Sequence, residues 1–334
     1  MLRIERPGLL LTIQDRGRPG FGHIGVPPSG ACDPWGYAAA NVLADAAAGS
    51  PAIELTLGGA ELLAEETCAI SLGGADLGAE RDDGTPLEPG ATYRLPAGAR
   101  IRFTGRPRMN GSASFAGARA YLALAGGIVA DRVLGSASTL AIAGLGGLEG
   151  RALGTGDVLV PVRPGDLSAV GRRWPVDGAP HPATRGDPVG FVPGPDLRHL
   201  PPAIEDRLAG AAWTVSPSSD RAGLRLEGEP LAPGREILSH PVVPGSIQLP
   251  ADGRPIIVFV DGPTIGGYPV IGVVARVDHA RLGQLLPGDP LTFAPMNRTA
   301  ARAAWHEQQE RFGRVGRTLG ADAIWDDLAG DARG

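Results

Sequence analysis

The sequence predicts a mainly β protein, an all-β barrel or sandwich architecture repeated in two domains. Three observations carry that reading. The chain of 334 residues holds 51 Gly and 32 Pro, about a quarter of its length, and both residues punctuate strands and break helices. Hydrophobic residues make up 43%, with 31 cationic against 36 anionic side chains, so the chain can bury a core rather than stay disordered. Short alternating apolar runs recur between turn residues, the pattern of half-buried strands.

In chain order, strands are expected at Leu9–Ile13, Ala52–Leu57, Cys68–Leu72, Thr92–Leu95, Arg100–Phe103, Arg119–Leu124 and Asp157–Val162. A helix is expected over Trp35–Leu43, opened by Asp33 as cap and Pro34 in the first turn. A Pro-, Gly- and Arg-rich stretch at 166–188 reads as a linker between a domain at 1–165 and a second at 189–296. The second domain has expected strands at Gly190–Val192, Ala212–Val215, Gly223–Leu226, Gly245–Leu249, Ile256–Val260, Val270–Val277 and Leu291–Phe293. Asp252-Gly253 between two of them is a type I′ hairpin signal. Short helices are expected at Pro202–Leu208 and at His279–Leu285, the latter capped by Asp278. A helical tail fills 297–334. Its stripe of Ala301, Ala304, Trp305, Gln308 and Phe312 predicts a packed helix, with Ile324, Trp325 and Leu328 docking a last turn.

The composition excludes several chemistries. The chain contains no Lys, so every one of its 31 cationic side chains is Arg. It therefore carries no Schiff-base lysine, no Walker lysine and no covalent biotin. A net charge of −5 argues against nucleic acid as a partner, which calls for a basic face. The uncharged stretch Val133–Leu148 is rich in Gly and Ser and falls short of the roughly 20 residues of a membrane span. The start, MLRIERPG, lacks the apolar core of a secretory signal, and Cys32 and Cys68 are too few for a disulfide scaffold. A cytoplasmic protein without membrane association is expected. The six histidines show no metal-ligand spacing, so no metal site is expected. No nucleophile elbow occurs, and the Gly144–Gly150 segment reads as a turn rather than a dinucleotide loop.

Four polar clusters remain. Gln14–Gly20 contains Asp15, Arg16 and Arg18, either a charged turn or an anion site of Arg side chains and Gly-permitted N–H groups. Pro28–Asp33 combines Ser29 with the helix cap Asp33, whose N-terminus favours an anion. Glu54, on an apolar strand, is either surface-facing or a buried partner for one of these arginines. In Ser219–Arg225, Arg221 is a clamp on Asp220 or a substrate ligand. The fourth cluster runs from His240 through Gln248 to Asp261, Thr264, Gly266, Gly267 and Tyr268, polar groups suited to the open end of a barrel.

In this order the segments QDRGRPGF, GVPPSGACD, AIELTLGG, YLALAGGI, LGSAST, GLGGLEGR, SDRAGLRLEG, ILSHPVVPGSIQLPADGRPIIV and DGPTIGGYP resemble the allophanate hydrolase subunit 2, or biotin-dependent carboxyltransferase, family, which includes the C-type 5-oxoprolinase proteins. The resemblance covers Gln14 to Phe293 and implies two cyclophilin-like β-barrel domains. It also implies a partner resembling allophanate hydrolase subunit 1 (the B-type protein of 5-oxoprolinase), and a third, A-type protein. The activity it implies first is ATP-dependent hydrolysis of 5-oxoproline to glutamate, with ATP used at the level of the complex. The alternatives are carboxyl transfer to urea from biotin on another chain, and non-catalytic control of a subunit-1-like kinase inhibitor. On this reading Asp261, His240 and Arg221 are catalytic. Asp15, Arg16, Arg18, Ser29, Gln248, Thr264, Gly266, Gly267 and Tyr268 bind substrate or anion, and Asp33 and Glu54 support the site. Two departures stand out: the family's D-x-Q-T-T-G-G-Y-P has Pro263 and Ile265 in place of its Gln and second Thr, and its S-N-R-M-G reads Ser219-Asp220-Arg221-Ala222-Gly223.

Overall fold

The computed structural model describes residues 1–47, 49–108, 115–175, 186–231 and 237–319. Two compact units divide the chain: Met1–Gly17, Ser29–His181 and Gln309–Gly334 form one, Arg18–Pro28 and Pro182–Gln308 the other. The segment Arg18–Pro28 thus groups with the C-terminal half of the sequence. Ile324, Trp325, Leu328 and the middle of the expected linker lie outside the described residues.

The first unit contains β1 (Leu2–Pro7), β2 (Leu10–Gln14), α1 (Pro34–Leu43), β3 (Ala52–Thr56), β4 (Ala60–Ala64) and β5 (Cys68–Gly74). It continues with β6 (Ala79–Arg81), β7 (Ala91–Leu95), β8 (Arg100–Phe103), β9 (Arg119–Leu124) and β10 (Val158–Leu159). These strands build two five-stranded antiparallel sheets, β10-β1-β4-β8-β6 and β2-β3-β9-β5-β7. One apolar cluster takes Ile4, Leu62 and Ile101 from the first sheet and Leu11, Ile53, Ile70 and Leu122 from the second. Strand β1 alternates buried and part-exposed residues, whereas β5 and β9 are buried along their whole length. Burial on both faces explains why β5 and β9 read as near-continuous small or apolar runs. Helix α1 supplies the second cover, its cap Asp33 accepting hydrogen bonds from the N–H groups of Trp35 and Gly36.

Helix and strand approach backbone to backbone. A Cβ at Gly73 would sit 2.2 Å from the Gly36 carbonyl oxygen, a contact that only a missing side chain permits. Gly73→Ala is expected to cost about 2–3 kcal/mol through overpacking, read as a lower urea midpoint in circular dichroism.

The second unit contains β11 (Val189–Pro193), α2 (Ala203–Gly210), β12 (Trp213–Val215), β13 (Gly223–Glu227), β14 (His240–Pro241) and β15 (Ser246–Gln248). It goes on through β16 (Ile256–Val258), β17 (Ile265–Gly266), β18 (Val270–Val274), α3 (His279–Leu282), β19 (Pro290–Leu291) and β20 (Phe293–Pro295). Its main sheet runs β19-β12-β13-β16-β15-β18-β11-β20. The two ends of that order are consecutive pieces of one segment, interrupted only at Thr292. The sheet therefore curls until its last edge meets its first, a nearly closed barrel that leaves little unpaired edge. Strands β14 and β17 form a separate two-stranded ribbon. Helix α4 (Arg298–Thr318) follows, longer than its apolar stripe predicts. Trp305 on this helix lies under the Arg276 guanidinium, 4.7 Å from ring centroid to Cζ.

Three local expectations change. The Asp252-Gly253 turn is not type I′, because only Gly253 has positive φ and that turn needs it at both central residues. Pro250 and Pro255 lack the N–H to extend the ladder, so pairing stops at Gln248 and Ile256 and Gly253 N–H closes a turn onto the Pro250 carbonyl. Strand β18 ends at Val274 and the chain turns through a 3₁₀ segment, Arg276–Asp278. Asp278 makes no side-chain cap bond; it accepts the Gly190 N–H at 2.8 Å instead, tying β11 to the turn before α3.

His279, 3.3 Å through Nε2 from the Val274 carbonyl, has its pKa lowered to about 4, chiefly by burial. An unfolded histidine, near 6.5, takes up its proton first. Stability contributed by the neutral ring is therefore lost as pH falls from about 6.5 towards about 4. Burial pushes the neighbouring Asp278 carboxyl up, which gives the opposite slope. Between pH 7 and pH 5 the Tm is expected to fall, and His279→Phe is expected to flatten that dependence. An unchanged slope in the variant would remove His279 from the account.

Candidate functional site

In the first unit the predicted polar residues are held by dense hydrogen bonding. Asp15, buried at the end of β2, accepts the Ser136 and Ser138 hydroxyls, each at 2.6 Å, and the N–H groups of Ala137 and Gly17 at 2.6 and 2.8 Å. Arg132 approaches it at 3.5 Å. A carboxylate so committed anchors the 136–138 loop. Arg16 stays in this unit, its guanidinium about where a Cβ on Gly49 would come within 3.0 Å.

Ser29 is different. It is buried, has φ of +53° and carries a hydroxyl without a hydrogen-bond partner. The next residue, Gly30, has φ of +90° and packs on the Arg16 backbone. A non-Gly residue in left-handed backbone carries strain of order 1–3 kcal/mol, which surrounding structure must hold in place.

Glu54 is buried rather than surface-facing. Its Oε2 accepts the Cys32 N–H at 2.9 Å and the Tyr121 hydroxyl at 2.8 Å, and its Oε1 lies 3.7 Å from Arg119. The Tyr121 oxygen in turn accepts the Asp33 N–H at 2.8 Å. Burial, then the Glu54 charge, push the Tyr121 phenol well up, so it remains a donor. Glu54 thus fixes the loop that leads into α1.

The second unit gathers the fourth cluster around the ribbon. His240 pairs with Gly266 across β14 and β17, and Ile237 and Val242 continue the pairing to Gly267 and Thr264. Gln248, buried on β15, points its amide at this ribbon: a Cβ at Gly266 would lie 2.4 Å from Gln248 Nε2, which has no hydrogen-bond partner. Glycine at 266 is the residue that lets the amide come so close. Thr264 meets the Arg18–Pro28 segment, since a Cβ on Gly22 would touch its side chain at 3.9 Å. Arg18 itself is buried in that segment, with its N–H on the Pro28 carbonyl. Tyr268 is partly exposed at the end of the loop.

Arg221 clamps Asp261 rather than Asp220. Its Nε and Nη2 meet the two carboxylate oxygens at 2.6 and 3.1 Å, and Asp261 N–H closes on the Arg221 carbonyl. Asp220 turns back onto the N–H groups of Ala222 and Gly223. The bidentate pair is planar and strongly directional, and it holds the start of the Asp261–Tyr268 loop against β13.

Sequence reasoning misses Asp196. Its carboxylate accepts the Val270 N–H at 2.8 Å and lies 3.2 Å from His240 Nε2. A lone Asp in a Gly-Pro turn carries no signal of a partner 44 positions away. The serines around Asp15 are legible in the segment LGSAST, but their target is not.

A family model described as carboxyltransferase domain, subdomain A and B, matches residues 24–295. The chain belongs to this carboxyltransferase-domain family. It is similar to the C-type subunit of 5-oxoprolinase from Escherichia coli, 36% identical over 94% of this chain and 97% of that protein. It is also similar to urea amidolyase of Lachancea kluyveri, 32% identical over 90% of this chain but 17% of that one. Among solved structures, TTHA0988 aligns with a TM-score of 0.76 at 32% identity, covering 88% of this chain. This chain spans only 56% of that one. The K. lactis urea amidolyase aligns with a TM-score of 0.80 at 27% identity over 94% of this chain and 20% of its own. In the first of the two departures of this carboxyltransferase-domain chain, Pro263 and Ile265 both face solvent, so neither change removes a buried contact. Among the described residues no group of His, Cys, Asp or Glu is arranged to hold a metal, and no helix is long and apolar enough to cross a membrane.

Proposed function

We propose that the chain is the C-type subunit of a cytoplasmic, multi-subunit 5-oxoprolinase that couples ATP hydrolysis to opening of 5-oxoproline to glutamate. The observation that carries this reading is the match to the Escherichia coli 5-oxoprolinase protein over nearly the full length of both chains. An amide is a poor electrophile, so its C–N bond breaks at a useful rate only with activation of the carbonyl and a managed proton. In the second unit Gln248 offers an unpartnered amide donor to a bound carbonyl or carboxylate. Asp261 and His240 are the groups assigned to proton transfer, with Arg221 and Asp196 orienting them. Thr264, Gly266, Gly267 and Tyr268 shape the loop that receives substrate, and Arg18 is assigned to an anion. In the first unit Ser29 offers an unpartnered hydroxyl, and Arg16 is the cation assigned there.

A triphosphate does not fit the described ribbon. The chain has no Lys and Arg221 is committed to Asp261, so no step on this chain is routed through ATP. Partners resembling the B-type and A-type proteins of 5-oxoprolinase complete the enzyme in this reading. The test is coexpression with those two partners and an assay of glutamate release from 5-oxoproline. Folded partners without ATP-dependent turnover would overturn it.

The family description and the urea amidolyase likeness favour one second reading, a carboxyltransferase component. With no Lys the chain cannot carry biotin, so carboxybiotin arrives on a separate protein. Carboxybiotin-dependent transfer to urea by the purified complex distinguishes the two.

A further inference from the structure

The outward face of β13 and the turn before β16 enclose an open cleft of about 740 Å³. Arg225, Glu227, Arg254, Ser218 and Tyr268 line it. Its charges are unevenly committed. The Glu227 carboxylate accepts the Ser216 hydroxyl at 2.6 Å. Asp252 accepts the Arg254 N–H at 3.1 Å and lies 4.0 Å from its guanidinium. Arg225 is exposed and, among the described residues, its guanidinium has neither a hydrogen bond nor a carboxylate within ion-pair distance. The Ser218 and Tyr268 hydroxyls are likewise without side-chain partners among the described residues. The wall thus presents Arg225 as a planar cation without a direct partner, together with the Ser218 and Tyr268 hydroxyls and the carboxylates of Glu227 and Asp252, and a guanidinium pairs best with a carboxylate held by two parallel bonds.

We propose that this cleft is a binding site for a small carboxylate, gripped by Arg225 with Ser218 and Tyr268 as secondary donors. Tyr268 makes the cleft continuous with the Asp261–Tyr268 loop, so an acid held here lies beside the loop assigned to substrate. The choice of 5-oxoproline and glutamate as carboxylates rests on the proposed function; the site itself rests on the cleft.

The experiment is isothermal titration calorimetry on the full chain with 5-oxoproline, L-glutamate and inorganic phosphate. At least one of the two carboxylates is expected to bind saturably, with phosphate weaker. Which of them binds tells substrate from product. Arg225→Ala is expected to weaken that binding at least about tenfold, the loss of one charge-assisted contact. Ser218→Ala is expected to weaken it less, and the exposed helix residue Arg302 serves as control in Arg302→Ala. Absence of saturable binding, equal affinity in Arg225→Ala, or phosphate binding as tightly as the carboxylates would overturn the site. Arg225-dependent binding without turnover in the reconstituted complex would leave the cleft standing and remove the 5-oxoprolinase reading. Turnover with Arg225-independent binding would do the reverse.

Discussion

Glu54→Ala is expected to destabilise the first unit by about 3–5 kcal/mol, the range for removing one partner of a buried ion pair. Glu54 is 1% exposed, and one oxygen serves both the Cys32 N–H and the Tyr121 hydroxyl. Arg119, buried 3.7 Å from the other oxygen, would then face alanine. The same change releases Tyr121, which holds the Asp33 N–H, and Asp33 caps α1. The loss therefore spreads from β3 to the helix start. Urea unfolding of the purified chain reads the effect. Glu54→Gln keeps the shape and one acceptor and is expected to cost only about 1–2 kcal/mol. An alanine variant within about 1 kcal/mol of the parent would show that the network does not hold the loop.

Asp261→Asn is expected to lower turnover of the reconstituted complex at least about a hundredfold, the range of a lost general acid or base. Asparagine preserves the volume of the side chain and one acceptor towards Arg221, so the fold is expected to survive, checked by an unchanged circular dichroism spectrum. KM is expected to move little if the group acts on the proton rather than on binding. A purely structural clamp predicts something else: a modest loss that Arg221→Ala, combined with the Asp261 change, partly restores. The double-variant cycle separates the two because coupling confined to stability leaves the chemical step alone.

Much of the architecture is legible in the residues themselves. The near-continuous small or apolar runs of β5 and β9 follow from burial along their whole length, and the Asp33-Pro34 start of α1 follows from helix-end hydrogen bonding. The Asp252-Gly253 dipeptide misleads because its flanking prolines withdraw two ladder donors, an effect outside the dipeptide itself. The candidate site is legible as a set of segments and not as a set of contacts. Arg221 has Asp220 as its neighbour in sequence, whereas folding gives it Asp261. His240 has no visible partner until the fold sets Asp196 beside it. Asp15 has the look of a binding group, and two serines more than a hundred positions away saturate it.

What the sequence determines by itself is therefore the strand-rich class, the absence of lysine chemistry and the family segments, since all three depend on composition or on neighbours along the chain. Tertiary structure alone decides which carboxylate meets which arginine, where Gln248 and Ser29 keep unpartnered donors, and how one broken strand closes the second sheet. Pairing of charges and closure of sheets are set by distances in space, and a barrel brings together residues that the sequence keeps tens of positions apart.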